Sequence, residues 1–146
     1  MNVSEINGYL VKIFNDVLTL EEAELQNAAF KDLSVKEMHT IDAIGLHETK
    51  TSTEVARGLM ITVGTLTVAI NNLVKKGYVE RIRSEKDRRI VRLSLTKTGK
   101  LVYRVHNYFH EKMVKEVIKD MNEDETAVLL KALTKLHSFL ENLKED

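Results

Sequence analysis

The sequence predicts a mainly α-helical chain carrying one small β-ribbon. Apolar residues recur at steps of three and four through most of the 146 residues, and no proline interrupts them. Side chains of the capping type stand ahead of the helical stretches, at Ser34, Thr51, Thr62, Thr96 and Asn122. Only Val79–Ser84 and Ile90–Leu95 alternate apolar and polar residues as half-buried strands do, on either side of the charged turn Glu85-Lys86-Asp87-Arg88-Arg89.

From Ser4 to about Ala28, Gly8 alone weakens a helix whose Ile6, Leu10, Ile13, Val17 and Leu20 form a heptad-like seam. The first thirty positions hold five acidic residues and one lysine, so this helix is expected to avoid an anionic partner. Lys31-Asp32-Leu33 reads as a connector. Ser34-x-x-Glu37 is a capping box opening a helix through Met38, Ile41 and Ile44 to about Leu46. The amides at its start can face a phosphate, although simple capping explains the box equally well. Thr51-x-x-Glu54 repeats the signature before Val55, Ala56 and Leu59. Thr62 then caps a helix from Val63 that buries Leu66, Ile70, Leu73 and Val74 and stops at Gly77. Two helices joined by so short a turn form a helix-turn-helix. Thr96 caps a long helix through Leu101, Val105, Phe109, Met113, Val117 and Ile118, in which Gly99 is a cost with no reason visible in sequence. Asn122-x-x-Glu125 caps a last helix with a seam of Leu129, Leu133, Leu136, Leu140 and Leu143.

A helix-turn-helix followed by a ribbon with a basic tip is a winged helix, and its second helix is the one such folds place in a DNA major groove. Charge agrees. The net charge is zero, yet residues 31–100 hold 14 Lys and Arg against 8 Asp and Glu, and residues 75–100 hold 10 against 3. A solvated charged face is the plainer account of such a run, but this one coincides with the ribbon and the end of the recognition helix, so it points to nucleic acid. The expected DNA contacts are Thr62, Val63, Gly64, Thr65 and Thr67 at the helix start, Asn71, Asn72 and Lys75 further along, and Arg81, Arg83, Lys86, Arg88 and Arg89 on the ribbon. Gly64 allows close backbone approach, Val63 and the threonine methyls suit thymine methyl groups, and asparagine can pair with adenine. A winged helix needs only about residues 34–96. The flanking helices, about 4–30 and 97–144, have apolar seams that a chain this size cannot cover alone, so a single domain of residues 1–146 is expected to form a homodimer on a palindromic site.

Other classes fit poorly. There is no cysteine, hence no disulfide or thiolate metal site. No apolar run approaches a membrane span and the N-terminus lacks a signal-peptide core, so a cytoplasmic protein without a membrane partner is expected. No Gly-rich phosphate loop, G-x-S-x-G or H-E-x-x-H occurs, so neither an enzyme nor a cofactor is expected.

Asp87-x-Arg89-x-x-x-Leu93-x-Leu95-Thr96-x-x-Gly99, preceded by Leu73 and by Lys76-Gly77-Tyr78-Val79-Glu80-Arg81, resembles the wing signature of MarR-type regulators. The resemblance covers essentially the whole chain. It implies dimerisation through the terminal helices, Arg89 as the minor-groove residue and Asp87 as the wing support that orients it. Met60 departs from the pattern, since the family turn often carries glycine there. Lys36–Asp42, Asn71-Asn72-Leu73 and Arg83-Ser84-Glu85-x-Asp87-Arg88-Arg89 further resemble the fatty-acid-biosynthesis repressors of streptococci and relatives. That subgroup implies repression of type II fatty-acid synthesis genes, with long-chain acyl-acyl carrier protein as co-repressor.

An effector pocket is expected around Met38, His39, Ile41, His106, Phe109, His110 and Met113, whose apolar lining suits a greasy ligand better than an acidic one. His106 and His110 also stand four residues apart on one helix face. Since a few MarR-type proteins sense zinc through histidines and a carboxylate, resemblance leaves open a metal site of Glu24, His39, His106 and His110, with Glu21 and Glu22 as other carboxylates. Polar or pocket-lining histidines are the plainer reading, and no metal is expected.

Overall fold

The computed structural model describes residues 2–27 and 29–144. Helices α1 (Val3–Asn27) and α2 (Val35–Ile44) lead into a short strand β1 (Lys50–Thr51). The pair α3 (Ser52–Leu59) and α4 (Val63–Lys76) follows, then strands β2 (Val79–Arg83) and β3 (Val91–Leu95), and finally α5 (Lys97–Ile118) and α6 (Glu123–Lys144). The sequence placed the end of α1 at Ala28, which lies outside the described residues. The chain divides into two units, Met1–His106 and Asn107–Asp146, the second beginning inside α5.

Within the first unit the caps act as the sequence indicates. Ser34 and Glu37 make a complete reciprocal box, the Glu37 amide donating to Ser34 Oγ at 3.1 Å and the Ser34 amide to Glu37 Oε1 at 3.0 Å. α2 closes at Gly45, φ 77°, slightly before the expected Leu46. The Thr51 box is only half formed: Thr51 Oγ1 accepts from the Glu54 amide at 3.2 Å, while its hydroxyl donates to the Glu54 carboxylate. Thr51 belongs at the same time to β1, opposite Arg92 of β3. β1 was not legible from sequence, and it makes the ribbon a three-stranded antiparallel sheet in the order β1-β3-β2.

α3 and α4 meet at 106°, within the range of a helix-turn-helix. Met60 sits at the joint with φ 61° and ψ 39°, the left-handed conformation that glycine adopts freely. The turn thus keeps its glycine-type geometry and methionine bears about 1 kcal/mol of local strain. No single helix among the described residues is long and apolar enough to cross a membrane. α4 sends Leu66, Ile70 and Leu73 into a core shared with Ile41 and Ile44 of α2, Val55 of α3, Leu93 of β3 and Val102 of α5. Each such burial contributes about 2 kcal/mol, so the helix is held to the scaffold by one face only.

The start of α5 is tied to the end of α4. Thr96 Oγ1 accepts from the Gly99 amide at 3.1 Å and its hydroxyl donates to the Gly77 carbonyl at 2.6 Å. The Thr96 amide donates to the Tyr78 carbonyl at 3.0 Å. Gly99 is buried against that carbonyl, and a Cβ built on it would overlap the Tyr78 oxygen. The unexplained glycine is therefore a close approach of two backbones.

Tyr78 also anchors the connector before α2, its hydroxyl donating to Asp32 Oδ1 at 2.7 Å. Burial, then that hydrogen bond and the negative charges of Asp32 and Glu37, push its pKa up to about 12. A raised folded-state value means that this stabilisation is complete below the ordinary tyrosine range and is lost as pH rises through the folded value. Tyr78→Phe is expected to cost about 1 kcal/mol near neutrality and to remove up to about 2 kcal/mol of the wild type's loss between about pH 10 and pH 12. Urea unfolding of both proteins across that range checks it; a wild-type-to-mutant gap that stays constant with pH would contradict the assignment.

In the second unit, α6 is capped by Asn122, whose Oδ1 accepts from the Glu125 amide at 2.9 Å while the Asn122 amide donates to Glu125 Oε1 at 3.1 Å. α6 buries no residue. Leu133, Leu136, Leu140 and Leu143 stay exposed, as do Ile6, Leu10, Ile13 and Leu20 on α1. Most of each seam read from sequence is thus exposed, with Val17 and Leu129 half-buried.

Candidate nucleic-acid interface

With Leu66, Ile70 and Leu73 turned inward, the opposite face of α4 is open. Gly64, Thr65, Thr67, Asn71, Asn72 and Lys75 are exposed on it, as the spacing predicts, and Val63 is exposed at the helix start. Thr62 is the N-cap: its Oγ1 accepts from the Thr65 amide at 3.1 Å and its hydroxyl donates to Thr65 Oγ1 at 2.9 Å. The Thr67 hydroxyl donates back to the Val63 carbonyl at 2.9 Å. No acidic residue lies in the first turn, whose free amides and positive helix end suit an anion. Lys75 and Lys76 lie in the last turn. Lys76 is not an outward cation, since its ammonium pairs with Glu37 at 2.9 Å and ties α4 to the start of α2.

β2 and β3 pair from Val79 opposite Leu95 to Arg83 opposite Val91, and the tip is closed by the Ser84 amide donating to the Ile90 carbonyl. Arg83 donates to the Arg88 carbonyl at 2.9 Å and thereby braces the tip. Asp87 holds Arg89 with both oxygens: Nε donates to Oδ1 at 3.0 Å and the guanidinium NH2 to Oδ2 at 3.1 Å, while the Arg89 amide also donates to Oδ1 at 3.0 Å. Those bonds hold the Asp87 carboxyl below the usual carboxylate range and the Arg89 guanidinium above its own. The Arg89 side chain is still 91 % exposed, so the fork fixes its direction without covering it. Lys86 and Arg88 are exposed beside it. Arg81 turns to the helix, donating to Asn71 Oδ1 at 2.5 Å. This bond joins ribbon and recognition helix, and it takes one of the two lone pairs of the oxygen that Asn71 would use toward an adenine amine.

Two exposed apolar residues beside these positions, Met60 and Val68, are absent from the contacts expected from sequence. A strict three-and-four count from Gly64 and Thr65 would have found Val68 on the outer stripe.

The expected effector residues lie in different environments. Met38 and Ile41 are buried in the packed core, whereas Phe109, His110 and Met113 are half-buried residues of the second unit. His39 and His106 do come together, their rings 6.0 Å apart. The carboxylate that joins them is Glu21, 2.7 Å from His39 Nε2 and 3.8 Å from His106 Nδ1. Glu24, named in the alternative metal site with Glu21 and Glu22 as other carboxylates, is half-buried one turn on. Glu21 shares the inward face of α1 with Leu25, four residues later, and both are buried.

A model of the MarR family matches residues 31–90. The chain is 30% identical over 131 residues to the HTH-type transcriptional regulator BilQ of Clostridium symbiosum (strain WAL-14163), covering 88% of each protein. It is 28% identical over 106 residues to the multiple antibiotic resistance protein MarR of Escherichia coli (strain K12), covering 72% of this chain and 74% of that one. Among solved structures, Streptococcus pneumoniae FabT in complex with DNA superposes with a TM-score of 0.91 at 52% identity, over 97% of this chain and 99% of that one.

Proposed function

The chain belongs to the MarR family of transcriptional regulators, and on that premise we propose that it is a dimeric repressor of type II fatty-acid biosynthesis genes, with long-chain acyl-acyl carrier protein as co-repressor. The observation that carries DNA binding is the uncovered face of α4 next to a ribbon whose Arg89 is aimed by Asp87. Likeness to a structure of FabT bound to DNA supports it over nearly the full chain. In this reading Val63–Lys75 enters the major groove, and Lys75, Arg83, Lys86 and Arg88 meet phosphates. Arg89 reaches the minor groove, where a narrow groove's negative potential favours arginine. The bare seams of α1 and α6 support dimerisation through about residues 4–30 and 97–144, with about 34–96 as the DNA-reading part of one domain. Two such parts about one helical turn apart fit a palindrome. The choice of lipid genes rests on the motifs shared with the fatty-acid repressors and on the 52% likeness. A ligand that favours one spacing of the two reading heads sets the response by its differential affinity.

The pairing of Glu21 with His39 and His106 favours a second reading, a metal-responsive regulator. One experiment separates the two: operator affinity titrated with long-chain acyl-acyl carrier protein, and separately with zinc against a chelator. Tightening by the acylated carrier alone is expected. Tightening by zinc alone would reject the lipid reading and make the histidines ligands.

A further inference from the structure

Gly64, Thr67, Val68, Asn71 and Lys75 follow one another along the outer stripe of α4. In its middle stands Val68, 63 % exposed. A β-branched residue there adds nothing to the core and slightly disfavours the helix, so local stability does not explain it. Two of the polar groups beside it are already engaged. Thr67 spends its hydroxyl on the Val63 carbonyl, which leaves its methyl as the outward group, and Asn71 Oδ1 accepts from Arg81. Gly64 needs neither a positive φ nor room in the fold, since a Cβ would meet nothing closer than Thr62 Oγ1 at 4.0 Å. The centre of the reading face is thus an island of methyl groups with a thin wall beside it, ringed by Asn72, Lys75 and Arg81. In the major groove only thymine offers a methyl group.

We propose that Val68 is a specificity-determining residue that reads thymine by packing its methyls on the C5-methyl, with hydrogen bonds from α4 playing the lesser part. The proposal rests on the DNA-binding reading above. Removing one methyl-sized contact from a closed interface lowers affinity about fourfold per half-site.

The test uses duplexes enriched from a randomised pool by the purified protein. Each thymine is replaced by deoxyuridine symmetrically in both half-sites, a change that deletes only the methyl. One position is expected to show the penalty, about fourfold per half-site. Val68→Ala should lower affinity by a similar factor and abolish the penalty at that position alone, and Val68→Thr should retain part of it. Val68 is exposed, so neither variant threatens the fold. An enriched duplex that tolerates uracil everywhere, or a Val68→Ala protein with an unchanged uracil profile, overturns the inference while DNA binding stands. A pool that yields no enriched duplex overturns both.

Discussion

Gly99→Ala is expected to lower stability by about 2 kcal/mol or more, although alanine is the better helix former by about 1 kcal/mol. The added methyl would overlap the Tyr78 carbonyl oxygen, which is not free to retreat, because it accepts the Thr96 amide at 3.0 Å. Thr96 is in turn held by the Gly77 carbonyl and caps α5 through the Gly99 amide. Relief therefore requires α5 to move off the start of β2, with loss of those bonds and of packing around Val102. For a chain of this size the loss corresponds to a fall in Tm on the order of 5 °C, read at equal protein concentration because a dimer's Tm depends on it. An unchanged or raised Tm would show that the two backbones are not pressed together there.

The same glycine marks where sequence reading stopped. Helix caps are local, within four residues, and so Ser34, Thr62, Gly77 and Asn122 were all legible. What Gly99 meets lies twenty-one positions away in the chain, beyond any periodicity. β1 failed for the opposite reason: Lys50–Thr51 is too short to alternate, and only its pairing with Leu93 and Arg92 defines it. Met60 was legible as a departure but not as a conformation, since nothing in its neighbours states that the joint stays left-handed. At the reading face, residue types and positions came through, and the bonding did not. That Asn71 is tied to Arg81, and that Lys76 is drawn back to Glu37, depends on side chains ten and thirty-nine positions apart. Glu21 rather than Glu24 meets His39 because the exact phase of α1 decides which acidic residue faces inward, and a run with three glutamates in four positions does not fix that phase.

Arg89→Ala is expected to weaken operator binding on the order of 100-fold, about tenfold for each wing of the dimer, the scale of one charge-assisted contact. Dimerisation should be untouched, because Arg89 stands at the ribbon tip and its side chain is 91 % exposed. The slope of log affinity against log salt should fall by about two per dimer if both arginines displace counterions. Equal affinity at matched salt would remove Arg89 from the interface. Asp87 makes the sharper case, since two effects oppose one another in it. Its carboxylate orients Arg89 through three hydrogen bonds, yet it also places a negative charge where phosphates approach. At low salt the repulsion reaches farther, and Asp87→Ala can come close to neutral. At about 0.5 M salt the screening length falls to a few ångströms, and the repulsion is largely gone while the lost orientation is not. The variant should therefore fall progressively behind the wild type as salt rises. A surface charge of no consequence to Arg89 would instead leave the variant ahead at low salt, where screening is weakest, and bring it back only to parity as salt rises. The ratio reached at high salt, measured on one operator at several salt concentrations, separates a positioning carboxylate, whose loss leaves the variant weaker than the wild type, from an incidental one, whose loss leaves the two equal.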